Sequence, residues 1–192
     1  MQTILLSSNG IEEVKFLQAL SDHEETHPIV KIAGIDTWLR ARSEMLVLSD
    51  DMVFLTRKKK GLCSDMADFG FIYDVPGGGW LVSEDHFTTA IRETEEEARI
   101  KTKNAIYGGA YVVIRTKAHP WVQENVPKEY IWKGYYSEVY VSEYDGNFTG
   151  DIAERDLDPD MAEGDWYPID AFIDLLCPVH QIAIRKYLSM AR

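Results

Sequence analysis

The chain is poor in cysteine, in positive charge and in long apolar runs. Cys63 and Cys177 are far apart and show no metal-ligand spacing, so the chain is not a disulfide scaffold. Each thiol reads as buried or idle. Lys+Arg number 20 against 32 Asp+Glu, a net charge of −12. An acidic body repels polyanions, so duplex nucleic acid and anionic membrane are not expected partners. A small anionic substrate stays open if metal ions screen it. No run approaches the roughly 20 apolar residues of a membrane span. The start holds Ile4, Leu5 and Leu6 but neither a basic n-region nor a long h-region. The expectation is a soluble, cytoplasmic protein. With 45% hydrophobic residues over 192 positions, the chain suits one domain with a substantial core better than two.

The apolar positions Ile11, Val14, Leu17 and Leu20 have helical spacing and predict a helix over Ile11 to His23. Residues 27–38 read as a strand and a short linker. Met45 to Leu48 and Met52 to Thr56 read as strands joined by a turn at Asp50-Asp51. Gly61 to Gly70 reads as a loop, and Phe71 to Val75 as a short strand stopped by Pro76 and three glycines. A helix is expected from about Glu84 to Arg99, with Phe87, Ala90, Ile91, Thr94 and Ala98 on its apolar stripe. Ala105 to Thr116 and Tyr130 to Tyr144 read as strands, Asp145 to Gly164 as an acidic loop, and Trp166 to Ile169 as a last strand. Two helical patches close the chain, Ala171 to Leu176 and Val179 to Met190, broken by Pro178. Helices on both sides of a mixed sheet are the economical architecture.

What the chain has in abundance is carboxylate on one helical turn. Glu93, Glu96 and Glu97 stand at i, i+3 and i+4 and share a helix face, where like charges repel by about 0.2–0.5 kcal/mol per pair. A merely solvated helix would interleave lysine. Hard Mg²⁺ or Mn²⁺ takes oxygen ligands and keeps positions open for phosphate oxygens. Gly77, Gly78 and Gly79 let the backbone come close to a ligand, through a carbonyl on metal or an N–H on phosphate. Arg92 can bridge to a neighbouring carboxylate and orient it. Glu84 suits the positive end of the helix macrodipole.

Gly78, Glu84 and the run Arg92-Glu93-Thr94-Glu95-Glu96-Glu97-Ala98-Arg99-Ile100 closely resemble the Nudix box. Thr94 stands where that signature has a hydrophobic residue, and Arg99 where it ends on glycine. Val53 to Arg57, the entry Asp74-Val75-Pro76-Gly77-Gly78-Gly79 and the stretch Asp165 to Asp170 also resemble the family. The resemblance covers roughly Ser43 to the C-terminus. It implies an α/β/α sandwich around a mixed sheet, here as a hydrolase domain over residues 41–192; residues 1–40 lie outside the resemblance and read as an N-terminal helical extension, a helix plus a strand and linker. It further implies metal-dependent hydrolysis of a nucleoside diphosphate linked to another group. Glu93, Glu96 and Glu97, with Gly78, would hold Mg²⁺ or Mn²⁺; Arg92 would orient them and Glu84 would support. A homodimer is expected on the same ground.

Around this core lie weaker candidates. Arg57, at a strand end near the box, is a candidate clamp for substrate phosphates, with a solvated hairpin end as the plainer reading for the run to Lys60. Glu143, Asp160 and Glu163 are candidates for an additional acid, Glu163 first among them. Tyr107, Tyr111, Trp121 and Trp132 are candidates for stacking a base, though sheet packing is the plainer role. His119 and His180 show no partner in the sequence. The rival reading is a catalytically weak module of the same fold that binds nucleotide, which Thr94 and Arg99 alone favour.

Overall fold

The computed structural model describes residues 2–6, 10–17, 27–58, 73–81, 83–148 and 161–190. Strands β1 (Gln2–Leu6), β2 (Ile11–Leu17), β3 (His27–Ile32), β4 (Trp38–Ser49) and β5 (Met52–Lys58) come first. The short β6 (Tyr73–Asp74) and β7 (Gly77–Gly79) lead into helix α1 (His86–Ala98). Strand β8 (Ile100–Arg115), helix α2 (Pro120–Asn125), strands β9 (Trp132–Phe148) and β10 (Met161–Pro168), and helices α3 (Ile169–Phe172) and α4 (Pro178–Met190) complete the described chain.

The sheet runs β1-β8-β9-β4-β3-β2, with β4 and β9 parallel and the other pairs antiparallel. One edge of β4 is shared by three partners in turn. Leu39 and Arg40 pair with β3, Arg42 to Glu44 pair with β7, and Leu48 and Ser49 pair with β5. The three glycines are thereby held inside the sheet rather than on a free loop.

Alternation along β4 sends its side chains to two layers. Leu46 and Leu48 join Val139, Val141, Ala183 and Ile184 beneath α4. Met45 and Val47 join Phe54, Ala90 and Ala98 beneath α1. Each fully buried aliphatic contributes about 1.5–3 kcal/mol. This is the expected α/β/α sandwich. A third apolar patch, Val30, Ile32, Leu39, Ala41 and Val112, lies past the start of α1 and is covered by Val14 and Trp80.

The N-terminal segment overturns one expectation. Residues Ile11 to Leu17 form a strand, not a helix, and the rest of the expected helix lies outside the described residues. A register shift between Ile11 and Glu13 explains the misleading spacing. A bulge inserts one residue, so Ile11 and Val14, three apart, both reach the core. Among the described residues the extension is therefore strands that continue the same sheet. The expected acidic loop is shorter too, because residues 161–164 already belong to β10. Phe87 sits at the edge of the α1 stripe, 38% exposed, against Tyr140.

Arg99 ends α1 in the left-handed conformation, φ 57°, with its N–H on the Glu95 carbonyl at 3.1 Å. An arginine thus takes the position that glycine usually fills. Arg99→Gly is expected to raise stability by about 0.5–1 kcal/mol, read by urea denaturation. Relief of about 1–2 kcal/mol of Cβ crowding is offset by roughly 0.5–1 kcal/mol of glycine entropy. Thr94 hands its hydroxyl to the Ala90 carbonyl at 2.7 Å and is fully buried. Both departures from the motif are absorbed by the helix.

Candidate active site

Helix α1 starts where the Asp85 carboxylate accepts the Thr88 N–H at 2.7 Å. Its acids then descend toward β7. Arg92 is the hub. Its Nε donates to Glu84 at 2.9 Å, and its Nη1 donates to Glu93 and Glu96, each at 2.9 Å. Nη2 donates to the Gly79 carbonyl at 3.1 Å. One guanidinium thus sets three carboxylates and the glycine strand. Thr89 Oγ1 fixes the second Glu84 oxygen at 2.8 Å. Glu97 turns to the other end of β7 and accepts the Gly77 N–H at 2.9 Å.

The acids differ in setting. The Glu93 side chain is 13% exposed, whereas that of Glu96 is 57% exposed and stays at the rim on Arg92. Burial pushes the Glu97 carboxyl up to about 7, helped by the Glu93 charge and opposed by the Gly77 N–H. Burial also raises Glu93, against the pull of Arg92. Among the described residues, no three His, Cys, Asp or Glu side chains form a ready metal cluster. Each acid instead has its own partner: Arg92 for Glu93 and Glu96, the Gly77 amide for Glu97.

The donor chemistry nevertheless suits a hard divalent cation. Two sheltered carboxylates that burial drives toward protonation gain most from such an ion. The glycine strand is cut to match. A Cβ on Gly78 would overlap the Glu93 carboxylate, and one on Gly77 would lie 2.5 Å from Glu44 Cγ. Gly78→Ala is accordingly expected to displace Glu93, weakening metal affinity by about 10–100-fold. Calorimetric titration with Mn²⁺ checks this.

Other candidates fare unequally. Arg57 and Glu163 are register partners on β5 and β10, and Arg57 also pairs with Tyr73. Their side chains, like that of Trp121, lie outside the described residues, as do Asp160 and Cys63 altogether. Glu143 lies opposite Leu48, four positions along β4 from the Glu44–Gly77 pair, and holds Asn104 and Tyr187 instead. Tyr111 has no exposed surface and cannot stack a base, and Trp132 packs against Ala118, Val122 and Val126. Tyr107, 46% exposed, meets Tyr140 edge-on.

The sequence reading passed over a buried layer on the α4 side. Glu44, 2% exposed, accepts Tyr111 Oη at 2.7 Å and pairs with His180 Nε2 at 2.9 Å. Glu44 accepts at both oxygens, so His180 Nε2 carries the proton. Burial pushes Glu44 up, yet His180, Arg42 and Tyr111 together hold it at about 2. Arg42 donates to the Gly77 carbonyl at 3.1 Å and lies over the Tyr135 ring at 5.0 Å. His180, without a partner in the sequence, thus acquires one through the fold. The available signal was the alternation Arg40, Arg42, Glu44 running into the apolar stretch Met45 to Leu48. Charges with period two at the head of a buried strand call for internal partners.

A family model for the NUDIX domain matches residues 39–188. RNA pyrophosphohydrolases of Rhodopseudomonas palustris and Agrobacterium fabrum are each 24% identical to this chain, over 77% and 76% of it and 86% of their own length. Among solved structures, a NUDIX hydrolase from Nitrosomonas europaea superposes with TM-score 0.55 at 16% identity, covering 80% of this chain and 91% of its own. A point mutant of a Bacillus subtilis pyrophosphohydrolase gives TM-score 0.52 at 14% identity, covering 88% and 94%. With the family match spanning most of the chain and the acid-and-glycine geometry falling inside it, this protein belongs to the NUDIX family.

Proposed function

We propose that this chain cleaves the phosphoanhydride of a nucleoside diphosphate joined to a second group, with Mg²⁺ or Mn²⁺ as cofactor. Enzymes of the family generally use divalent metals. The observation that carries the reading is the Arg92 hub, which holds Glu84, Glu93 and Glu96 beside the glycine strand while Glu97 closes on Gly77. In this reading Glu93, Glu96, Glu97 and the Gly78 carbonyl hold the metal, and Glu84 steadies Arg92. When bound, the ion neutralises the diphosphate and lowers the pKa of a water. The protein's own part is positional. Arg92 keeps Glu93 and Glu96 from swinging apart, and the Gly77 N–H fixes the Glu97 carboxylate. Gly77, Gly78 and Gly79 let phosphate oxygens approach the backbone, and Arg57 contacts a substrate phosphate. Glu163 is the candidate acid from β10.

Residues 41–192 form the hydrolase domain in this proposal, with 1–40 as an extension. The protein acts in the cytoplasm, as a homodimer, on a small molecule rather than duplex nucleic acid. The two relatives are named RNA pyrophosphohydrolases, which makes an RNA carrying a terminal phosphoanhydride the substrate to include for comparison. The net charge of −12 favours a small nucleotide over a polyanion. The test is a panel of nucleoside diphosphate derivatives and one triphosphorylated oligonucleotide, assayed with Mg²⁺ and with product identification. Release of a nucleoside monophosphate, abolished by chelation, is the expected result. Ligand binding without any product would favour a binding module instead.

A further inference from the structure

We propose that Phe16 and Trp80 form a stacking corner for the base of the nucleotide substrate, which gives the N-terminal extension a share in the active site. The inference rests on the nucleotide reading above and adds to it a residue, Phe16, outside the family match at residues 39–188. Trp80 follows Gly79 directly, so its ring is anchored one peptide bond from the carbonyl that Arg92 holds. It is fixed on three sides. Its backbone N–H bonds the Ala41 carbonyl at 3.1 Å, and its indole N–H bonds the Glu84 carbonyl at 2.5 Å. Its ring stacks on His86 at 4.5 Å, and His86 in turn meets Ser43 Oγ at 2.8 Å.

Phe16 reaches this ring from β2, edge-on at 5.8 Å and 64°. Phe16 remains 46% exposed, although Val14, two residues back, packs into the core. A large apolar ring left in water beside a rigid indole has little to contribute to folding. A planar heteroaromatic group laid against it is a favourable use of that surface. The flanking geometry selects the occupant. The corner adjoins the carboxylates and glycines that take the diphosphate, so a base attached to that diphosphate is the ring brought within reach. Stacking of this kind tolerates any base, because every base has a π-face.

The experiment measures binding of ADP, UDP and inorganic pyrophosphate by calorimetry in Mg²⁺, on the whole chain and on Phe16→Ala and Phe16→Tyr. Phe16→Ala is expected to weaken ADP and UDP about tenfold and to leave pyrophosphate unchanged. Phe16→Tyr, which keeps a ring, should restore nucleotide affinity. In turnover, KM for a nucleotide substrate should rise while kcat holds. Equal loss for pyrophosphate and nucleotides would overturn the proposal, since it would mark Phe16 as a support for the fold. Unchanged nucleotide affinity would overturn it as well, and so would a wild type that binds ADP no more tightly than pyrophosphate. Hydrolysis of the substrate panel is a separate readout, so failure of the stacking corner and failure of the nucleotide reading are distinguishable.

Discussion

Glu97→Gln is expected to abolish turnover while leaving the protein at least as stable as before. The proposed function places this carboxylate on the metal, and a cation's charge stabilisation is worth several kcal/mol, so kcat should fall by about 10²–10³. Stability should move the other way. Burial and the Glu93 charge hold Glu97 at about 7, well above an unfolded carboxyl. Between the unfolded value near 4.5 and about 7, the unfolded chain releases this proton while the folded chain keeps it. In chelator, stability therefore declines as pH rises through that window, and the loss is complete above about 7. Glutamine removes the titration and still accepts the Gly77 N–H. Thermal melts between pH 5 and 8 in chelator should slope downward for the wild type and lie flatter for Glu97→Gln. A variant that retained turnover would remove Glu97 from the metal site, and one that failed to fold would show the residue to be structural. Such opposition between activity and stability is the ordinary signature of a working site.

The second large effect is expected from Glu44→Gln. This side chain is sealed among Tyr111, His180 and Arg42, and its charge is what keeps the Arg42 guanidinium in balance. Glutamine has nearly the same shape but offers one acceptor where two donors converge, and it removes the strongest of the acid charges that attract Arg42, leaving Asp74. Leaving a buried donor unsatisfied costs about 1–3 kcal/mol, and more where charge is involved, a large part of the roughly 5–15 kcal/mol that stabilises a typical domain. The urea midpoint measures it. The linked pH effect has the sign opposite to that of Glu97. Glu44 is held at about 2 when folded, so its contribution is present above the unfolded value near 4.5. It is lost as pH falls from there toward about 2. The wild type should thus weaken in acid by more than Glu44→Gln does. Because Arg42 also holds the Gly77 carbonyl, a double-mutant cycle between positions 42 and 44 should show coupling.

What was legible in the sequence was local. The spacing of Glu93, Glu96 and Glu97, the glycines ahead of them and the apolar stripe through Ala90, Thr94 and Ala98 all sit within a few helical turns. A helix brings such neighbours together whatever the rest of the chain does. The acids and the glycine strand do meet, and the layered α/β/α fold follows from alternating strands and amphipathic helices. The expected helix at Ile11 went wrong because three-residue spacing fits a bulged strand as well as a helix, and only pairing with β3 decides between them.

The sequence by itself determined the helix, its acid face and the turn that approaches it, because short-range periodicity constrains which side chains share a surface. Tertiary structure decided the rest. It set His180 against Glu44 across 136 positions, hung Arg42 on Gly77 across 35, and brought Phe16 of β2 to Trp80. Those meetings depend on strand order and register, which arise only when distant segments close on one core. No spacing within a single segment encodes them.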